Sequence, residues 1–319
     1  MNEPPMLEVE DLTKRYAGRA AVSGLSFTVG RGEIVGLLGP NGAGKSTTLR
    51  ILAGFLTASS GSVRIAGFDA QRQSDEVRRR IGYMPENNPL YPEMRVREYL
   101  KFRARLKGLS RGQSRERVSV VTEQFGLGEV SRKLIGHLSK GFRQRVGLAD
   151  TIVHDPDLII LDEPTIGLDP TQIRAVRQLI KDLGRQHTVV LSTHILPEAE
   201  MTCQRVLILH LGRIVAEGAP AELQQLMDRS GQIIAEIAAP AAALHEAFEA
   251  LAEVEAVTLT PLDGEFHRCA LTASNGADLR PLVFALAKER GWELRELTRD
   301  RFSLEDIFMR VTRREEEEA

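Results

Sequence analysis

Residues 39–46 contain the stretch that decides the fold, Gly39-Pro40-Asn41-Gly42-Ala43-Gly44-Lys45-Ser46. It satisfies the pattern GxxxxGK[ST], and it stands between an apolar run, Ile34 to Leu38, and a helix-like segment, Thr47 to Ala53. Glycines let backbone N–H groups turn inward on phosphate oxygens, the lysine reaches the β and γ oxygens, and the serine hydroxyl is a ligand for Mg²⁺. The pattern predicts a phosphate-binding loop between a strand and a helix.

A second apolar run, Leu158 to Leu161, ends in two acidic residues, Asp162 and Glu163. Beside a phosphate loop, such a pair can hold Mg²⁺ through water with the first carboxylate and polarise the attacking water with the second. A third run, Val189 to Leu191, follows a segment with apolar residues at helical spacing, Thr171 to Gln186. Runs without alternation are typical of strands buried on both faces, so this order predicts a parallel sheet covered by helices.

Length and composition limit the class of protein. The 319 residues suggest two domains, and the opening segment alternates apolar and acidic residues as half-buried antiparallel strands do. No run approaches the roughly 18 uninterrupted apolar residues of a membrane helix, and the N-terminus lacks a signal-peptide pattern, so we expect a cytoplasmic protein. Cys203 and Cys269 are far apart without CxxC spacing, which argues against a disulfide framework or a zinc site.

The net charge of −2 conceals a division of the chain near Gly218. Residues 1–218 carry 31 basic and 24 acidic side chains, whereas residues 219–319 carry 11 and 20. We therefore predict a first domain at 1–218 and a second at 219–319. The second has the pattern βαββαβ of a small α+β domain, with a hairpin turn at Asp263-Gly264 and a last helix from Leu304 to Thr312. It shows no catalytic cluster, and we expect it to regulate or stabilise a dimer.

A further segment, Leu138 to Arg145, reads Leu-Ser-Lys-Gly-Phe-Arg-Gln-Arg, and its Ser139 lies 23 residues before Asp162. With the motifs above, it resembles the signature motif of the ATP-binding subunit of ATP-binding cassette (ABC) transporters, over roughly Leu7 to Gly218. The resemblance implies a P-loop NTPase core of the ABC ATPase type, an antiparallel β subdomain and a helical subdomain at about 87–150. It also implies a head-to-tail homodimer in which Ser139 and Gly141 receive the γ-phosphate held by the other subunit, although an ordinary helix cap would also explain the serine.

The resemblance carries roles to individual positions. His194 resembles the switch histidine that contacts the γ-phosphate, and with Glu163 it forms the expected catalytic pair; Asp169 falls in the loop that crosses the dimer interface. Tyr16 lies where the family stacks an aromatic ring on adenine, although a lone tyrosine is more often a packing residue. Mg²⁺ is expected on Ser46, Asp162 and Glu86. The expected ATP-binding residues are Tyr16, Gly39, Pro40, Asn41, Gly42, Ala43, Gly44, Lys45, Ser46, Thr47, Ser139 and Gly141.

Three positions depart from the family pattern. Glu86 stands where most members have a glutamine that senses Mg²⁺, and a carboxylate is also a hard oxygen ligand, so metal binding can survive. Lys140 replaces the second glycine of the signature, and Ile166 replaces a small residue before the interface loop. Because Ser139, Gly141, Gly167 and Asp169 are kept, we expect an active ATPase with an altered rate at most.

The chain resembles the ABC-2 exporter branch, which includes gliding-motility and multidrug export ATPase subunits. The resemblance lies in details of the signature, of Pro85 to Tyr91 and of Ser303 to Phe308. The resemblance implies a separate integral membrane permease as partner and a location at the inner face of the cell membrane. Arg95 to Arg117 contains nine basic and two acidic residues, which fits a solvated helix face or contact with an acidic partner or lipid surface.

Two other functions are alternatives to a transporter subunit: a soluble ABC ATPase acting on ribosomes or DNA, and a non-catalytic interaction module. We expect no nucleic-acid partner, because aromatic stacking platforms are missing.

Overall fold

The architecture is taken from a computed structural model that describes residues 4–223, 232–274 and 277–300. The chain divides into two units, Met1–Pro220 and Ala221–Ala319, and each is described by itself. The predicted helix from Leu304 to Thr312 lies outside the described residues.

Ten strands of the first unit form two sheets. Their bounds are β1 Leu7–Tyr16, β2 Arg19–Val29, β3 Ile34–Leu38, β4 Ser60–Ile65, β5 Phe68–Asp69, β6 Ile81–Met84, β7 Leu158–Leu161, β8 Thr188–Thr193, β9 Arg205–His210 and β10 Arg213–Gly218. The central sheet has the order β10-β9-β3-β8-β7-β6, and every neighbouring pair in it is parallel except β9 with β10. The three apolar runs are the buried strands β3, β7 and β8, as predicted.

The alternating segment at the start of the chain forms the second sheet, in the order β2-β1-β4-β5. Its neighbouring strands pair antiparallel, and Leu7, Val9 and Leu12 are buried while Glu10 and Asp11 are exposed. Because one face meets the core and the other meets solvent, the side chains alternate, as the sequence predicted. Apolar residues of both sheets join one hydrophobic cluster, which anchors the loops at the sheet edge.

Seven helices of the described part of the first unit cover and extend the central sheet. Their bounds are α1 Lys45–Leu52, α2 Ser74–Arg80, α3 Val96–Leu106, α4 Arg111–Gln124, α5 Lys140–Ile152, α6 Pro170–Leu183 and α7 Leu196–Thr202. Ser139 caps α5 by accepting a hydrogen bond from the Phe142 backbone N–H, and Asp169 caps α6. Both starts follow a common rule, since short polar side chains satisfy the free N–H groups of a first helical turn. The antiparallel sheet, the parallel core and the helical region α3 to α5 are the three parts that the sequence analysis expected of the first unit.

The second unit has one four-stranded sheet with the order β12-β13-β11-β14, all antiparallel. The strands are β11 Gln232–Ala238, β12 Val254–Pro261, β13 Phe266–Ala273 and β14 Glu293–Asp300, and the helices are α8 Ala241–Glu249 and α9 Arg280–Arg290. Apolar residues from β11, β13 and both helices share a core that includes Phe248 and Leu271. The described elements have the predicted βαββαβ order, with Gly264 at positive φ in the turn between β12 and β13.

Among residues 4–223, 232–274 and 277–300, no helix has the length and apolar character that a membrane crossing requires.

Candidate functional site

The carboxyl ends of β3, β7 and β8 meet at one edge of the central sheet, because these neighbouring strands run parallel. The phosphate loop follows β3, the acidic pair follows β7, and His194 follows β8. Crevices at the carboxyl ends of parallel strands are the usual ligand positions of open α/β sheets. Three segments that are far apart in the chain therefore contribute side chains to one place.

The phosphate loop turns sharply before α1. Gly44 has φ +102°, and a Cβ at this position would lie 2.7 Å from the Ala21 carbonyl oxygen, so only glycine fits without a shift of backbone. The Lys45 side chain is 5% exposed, and its Nζ donates to the carbonyl oxygens of Gly39 at 2.6 Å and Pro40 at 3.1 Å. The loop thus holds a buried ammonium group beside its own backbone.

Asp162 lies at the base of the site and is fully buried. Its Oδ1 accepts hydrogen bonds from Ser46 Oγ at 3.0 Å and Ser192 Oγ at 2.7 Å. Its Oδ2 is buried without a hydrogen-bond partner in the described part of the chain. A buried carboxylate oxygen without a partner is costly, so this atom requires an explanation. The neighbouring Tyr83 reflects the same environment, because burial raises the pKa of its phenol and the Asp162 charge raises it further.

Glu163 adopts a backbone conformation that is unusual for this residue type, with φ +48°. Its backbone N–H donates to Ser192 Oγ at 2.9 Å, which holds the turn. Its carboxylate, 6% exposed, lies 3.5 Å from Lys45 Nζ through Oε1 and 3.0 Å from His194 Nδ1 through Oε2. A left-handed non-glycine residue costs of order 1–3 kcal/mol and is commonly found at functional sites. The carboxylate is thereby aimed between a cation and an imidazole.

These groups surround a cavity of about 430 Å³. Its lining residues are Ala21, Pro40, Asn41, Gly42, Gly44, Lys45, Ser46, Thr47, Glu86, Glu163, Ile166 and His194. The structure therefore places most of the predicted phosphate-loop residues, both proposed catalytic residues and Glu86 around one space. Ser46, Asp162 and Glu86, the predicted metal residues, lie in or directly beneath it.

Other predicted residues lie elsewhere. Tyr16, at the end of β1, does not line the cavity. The residue is 47% exposed, and the centre of its ring lies 5.3 Å from Lys14 Nζ. Ser139 and Gly141 border a separate small cavity of about 90 Å³ beside α5. Asp169 Oδ1 accepts hydrogen bonds from the backbone N–H groups of Thr171 and Gln172 at the start of α6. Gly39 and Ala43 belong to the phosphate loop but do not line the cavity.

Sequence reasoning missed two structural supports of the site. Ser192 bonds both Asp162 and the Glu163 backbone, although the sequence indicated only its neighbour His194. Glu198, buried in α7, accepts hydrogen bonds from Thr165 at 2.6 Å and Thr193 at 3.3 Å, and so joins the loops after β7 and β8. A serine at the end of a buried strand was a usable signal, because a buried hydroxyl needs partners. Glu198 gave no comparable signal in the sequence.

The loop that carries Glu86 rests on α5. Asn88 Nδ2 donates to the Arg143 carbonyl oxygen at 3.4 Å, and a Cβ added to Gly147 would lie 1.6 Å from the same nitrogen. Gly147 therefore makes room for Asn88, and the contact ties the Glu86 loop to the helix that begins at the signature motif.

Comparisons with known proteins agree with this geometry. The ABC transporter family profile matches residues 22–166. The chain is 38% identical over 311 residues to the Nod factor export ATP-binding protein I of Paraburkholderia xenovorans, covering 97% of each chain. It is 30% identical over 310 residues to the linearmycin resistance ATP-binding protein LnrL of Bacillus subtilis, covering 97% of this chain and 99% of that one.

A solved structure gives the same result for the first unit. An ATP-binding cassette described as dimeric, in a post-hydrolysis state with ADP and Pi, superimposes with a TM-score of 0.62 at 27% identity, covering 67% of this chain and 99% of that chain. The chain therefore belongs to the ATP-binding proteins of ABC transporters and is an ABC ATPase.

Proposed function

We propose that the protein is the ATP-hydrolysing subunit of an ABC-2 type exporter, working at the inner face of the cell membrane with a separate integral membrane permease. The observation that carries the export assignment is similarity along nearly the whole chain. Two relatives named for export and for resistance match 97% of it, including the second unit. A shared ATPase domain alone would not distinguish transport from other uses of ATP.

In this proposal the cavity binds ATP with Mg²⁺. The phosphate loop cradles the phosphates through its backbone N–H groups, and Lys45 exchanges its carbonyl contacts for phosphate oxygens. Ser46, Asp162 and Glu86 would hold Mg²⁺, and the unpartnered Oδ2 of Asp162 fits this assignment because it can accept a metal-bound water. When bound, the ion neutralises negative charge on the phosphates.

Glu163 is proposed as the residue that polarises the attacking water. Its carboxylate is held by Lys45 and His194 on either side, so it can accept a proton from a water above the γ-phosphate position. In the proposed mechanism, His194 orients that carboxylate through its 3.0 Å contact and also contacts the γ-phosphate. Tyr16, exposed at the end of β1, remains available to stack on adenine.

The signature motif is proposed to complete the site of a second subunit. Ser139 and Gly141 lie at the start of α5, outside the cavity of their own chain. In this proposal they contact the nucleotide that is bound in the cavity of another subunit. The free N–H groups at a helix start attract phosphate. A head-to-tail homodimer would bring this start to the partner's γ-phosphate and Asp169 to the interface, and the similar cassette described as dimeric supports that arrangement.

Mixing two inactive variants tests the composite site. Lys45→Ala removes the phosphate-binding cation, and Ser139→Arg blocks the signature; each alone should hydrolyse ATP at under about 1% of the wild-type rate. In a mixed dimer, the Ser139→Arg subunit supplies an intact phosphate loop and the Lys45→Ala subunit supplies an intact signature to the same site. We expect the mixture to recover activity well above the sum of its components. No recovery, together with wild-type activity of Ser139→Arg alone, would contradict the head-to-tail site.

A surface of the first unit fits a membrane-protein partner. A second cavity, of about 560 Å³, lies between the core and the helical region, with Phe55 and Leu106 exposed at its edge. Its charged lining is basic in balance, with four basic side chains, Arg78, Arg79, Arg103 and Lys107, against two acidic ones, Asp75 and Asp150. Burial lowers the pKa of Lys107, the Arg103 charge lowers it further, and the Asp150 carboxylate opposes the shift. We propose that an acidic segment of the permease docks here.

The fraction of the chain that sediments with membranes tests whether a membrane partner docks at this surface. Leu106→Asp places a carboxylate at the proposed docking edge, whereas Val120→Asp changes an exposed aliphatic residue of α4 that does not line the cavity. In the native host, we expect Leu106→Asp to lower the membrane-bound fraction at least about fivefold, with unchanged ATPase activity of the purified chain. The Val120→Asp control should behave as wild type. Sedimentation of the wild-type chain with ribosomes or DNA, and not with membranes, would favour the soluble ABC ATPase instead.

A further inference from the structure

One buried side chain in α7 is hydrogen-bonded to both of the loops that carry the proposed catalytic residues. Glu198 lies in the first turn of α7 and is 8% exposed. Its Oε2 accepts hydrogen bonds from Thr165 Oγ1 at 2.6 Å and from Thr193 Oγ1 at 3.3 Å. Thr165 is two residues after Glu163, and Thr193 directly precedes His194. A single carboxylate oxygen therefore connects the loop after β7 to the loop after β8.

The bond from Thr165 is the stronger of the two. Its length of 2.6 Å is that of a hydroxyl donating to a carboxylate, which is about twice as strong as a bond between neutral groups. Both threonines are buried, as is Glu198, so solvent does not compete for these bonds. A buried carboxyl group without hydrogen bonds is costly, and the two hydroxyls offset that cost.

The loop after β7 is a turn that is closed by its own backbone. The Ile166 N–H donates to the Glu163 carbonyl oxygen at 3.2 Å. The Leu168 N–H donates to the Thr165 carbonyl oxygen, also at 3.2 Å. Because these bonds join the residues of the turn, a displacement of Thr165 would also displace Glu163. A shift of about 1 Å in a reacting group can lower a rate about 100-fold.

The loop after β8 is connected in a similar way. Thr193 Oγ1, which donates to Glu198, also accepts the Ile195 backbone N–H at 3.0 Å. The Thr193 carbonyl oxygen accepts the N–H of Gly39, the first residue of the phosphate loop, at 3.4 Å. Thr193 is therefore bonded on both sides of His194 and to the phosphate loop, and Glu198 holds its hydroxyl.

We propose that Glu198 is a positioning residue of the ATPase reaction, which maintains the 3.0 Å contact between the Glu163 carboxylate and His194 by holding both of their loops. Glu198 does not line the cavity, so it acts through these loops and not on the nucleotide. The inference rests on the proposed function, because it uses the roles proposed there for Glu163 and His194.

Two substitutions at this position separate the hydrogen bonds from the presence of a side chain. Glu198→Ala removes both bonds, and we expect it to lower kcat about tenfold with KM for ATP within about threefold. Glu198→Gln keeps an amide oxygen that can accept from Thr165, and it should retain at least half of the wild-type kcat. Glu200→Ala, on an exposed position of the same helix, is the matched control and should leave kcat unchanged.

These rates are measured well below the thermal unfolding midpoint of each variant, so that a loss of folded protein does not lower kcat. A wild-type kcat in Glu198→Ala would overturn the positioning role. Equal losses of kcat in Glu198→Ala and Glu198→Gln would overturn it as well, because the acceptor atom would then not matter.

A double-mutant cycle tests the bond between Glu198 and Thr165. Thr165→Val removes the hydroxyl and keeps the branched shape of the side chain. We expect it to lower kcat about fivefold in the wild-type chain and less than about twofold in Glu198→Ala, where the bond is already lost. Fully multiplicative effects on kcat would show that the two residues act independently.

A second background shows whether the effect passes through Glu163. In Glu163→Gln the residual hydrolysis does not use the carboxylate, so adding Glu198→Ala should lower the single-turnover rate less than about twofold. A further tenfold loss in that background would assign Glu198 a general structural role and overturn the positioning role.

The outcomes also distinguish this inference from the proposed function. If Glu163→Gln retains wild-type turnover, the proposed role of Glu163 fails, and the inference fails with it. If Glu163→Gln loses turnover while Glu198→Ala keeps a wild-type kcat, the proposed function stands and only the positioning role of Glu198 is removed.

Discussion

The two units of the chain differ in where their charged side chains lie, buried in the first and at the surface in the described part of the second. In the first unit Lys45, Asp162 and Glu163 are all buried, and they lie together around one cavity. In the described part of the second unit, no charged side chain is buried, and the ion pairs are formed at the surface, as between Arg295 and Asp263. Burying charge costs several kcal/mol per ion, so a fold keeps such a cluster only with compensating contacts or a use for it. The difference indicates where the chemistry lies.

Removing the buried cation should have the largest effect. Lys45→Ala deletes the ammonium that faces the phosphates and leaves the Glu163 carboxylate buried beside His194 alone. We expect ATP binding to weaken about 100-fold or more, because a charge-assisted contact to phosphate is lost. Titration with a fluorescent ATP analogue measures it. Lys288→Ala, on an exposed position of the second unit, is the control, and an equal loss in that variant would remove the contrast between the units.

A smaller effect is expected at the support beneath the cluster. Ser192→Ala removes the hydroxyl that donates to Asp162 and accepts from the Glu163 backbone, so both groups lose a buried partner. We expect kcat to fall about tenfold and the Mg²⁺ concentration for half-maximal activity to rise, since a lost buried hydrogen bond costs of order 1–3 kcal/mol. Ser131→Ala, which removes a hydroxyl outside the site, should change neither quantity. Unchanged Mg²⁺ dependence in Ser192→Ala would show that Asp162 does not rely on this serine.

A buried histidine of the first unit should make the stability of the fold depend on pH. Burial, with Lys107 nearby, lowers the pKa of His154 from 6.5 to about 4, so the folded chain keeps this imidazole neutral. Above pH 6.5 the histidine is neutral in both the folded and the unfolded chain, and it does not lower the free energy of unfolding. As the pH drops toward 4, the unfolded histidine takes up a proton that the folded one does not, so the free energy of unfolding falls. His154→Gln, which can still donate to the Ile81 carbonyl, should therefore gain about 2 kcal/mol relative to wild type between pH 7 and pH 5. Urea unfolding of both chains at pH 7 and pH 5 measures the free energy of unfolding. An equal fall of this free energy in His154→Gln and in the wild-type chain would contradict the prediction.

The smallest effect is expected in the second unit. Arg295 lies between Glu236 and Asp263 and over the Phe266 ring, on an exposed part of the sheet. Arg295→Ala should leave ATP hydrolysis unchanged and shift the thermal midpoint by no more than about 2 °C, because exposed ion pairs contribute little. A large fall in ATPase activity of the full chain would break the comparison and assign the second unit a role in the reaction.

The sequence predicted the parts of the fold in which periodicity is strong. Continuous apolar runs indicated β3, β7 and β8, and alternation indicated β1 and β2, because burial on one or both faces imposes these patterns directly. The phosphate loop and Glu163 could be assigned from motifs whose chemistry requires specific residue types. The parallel order of strands then brings the motifs to one sheet edge.

Contacts between distant side chains could not be predicted in this way. Ser192 bonding Asp162 and Glu198 joining two loops depend on how helices pack beside the sheet, and no local pattern encodes that packing. Ser139, Gly141 and Tyr16 do not line the cavity, and their ATP-binding roles were assigned by resemblance alone. Their role in ATP binding stays a prediction.

The Glu163→Gln substitution tests most directly whether this carboxylate activates the attacking water, because it keeps the size of the side chain and removes only the charge and the proton acceptor. We expect ATP hydrolysis to fall at least about 100-fold while Mg²⁺–ATP binding stays within a few-fold of wild type. Gel filtration with Mg²⁺ and ATP should then show a species of twice the monomer mass. A turnover within about tenfold of wild type would show that the buried Glu163 carboxylate does not drive the reaction.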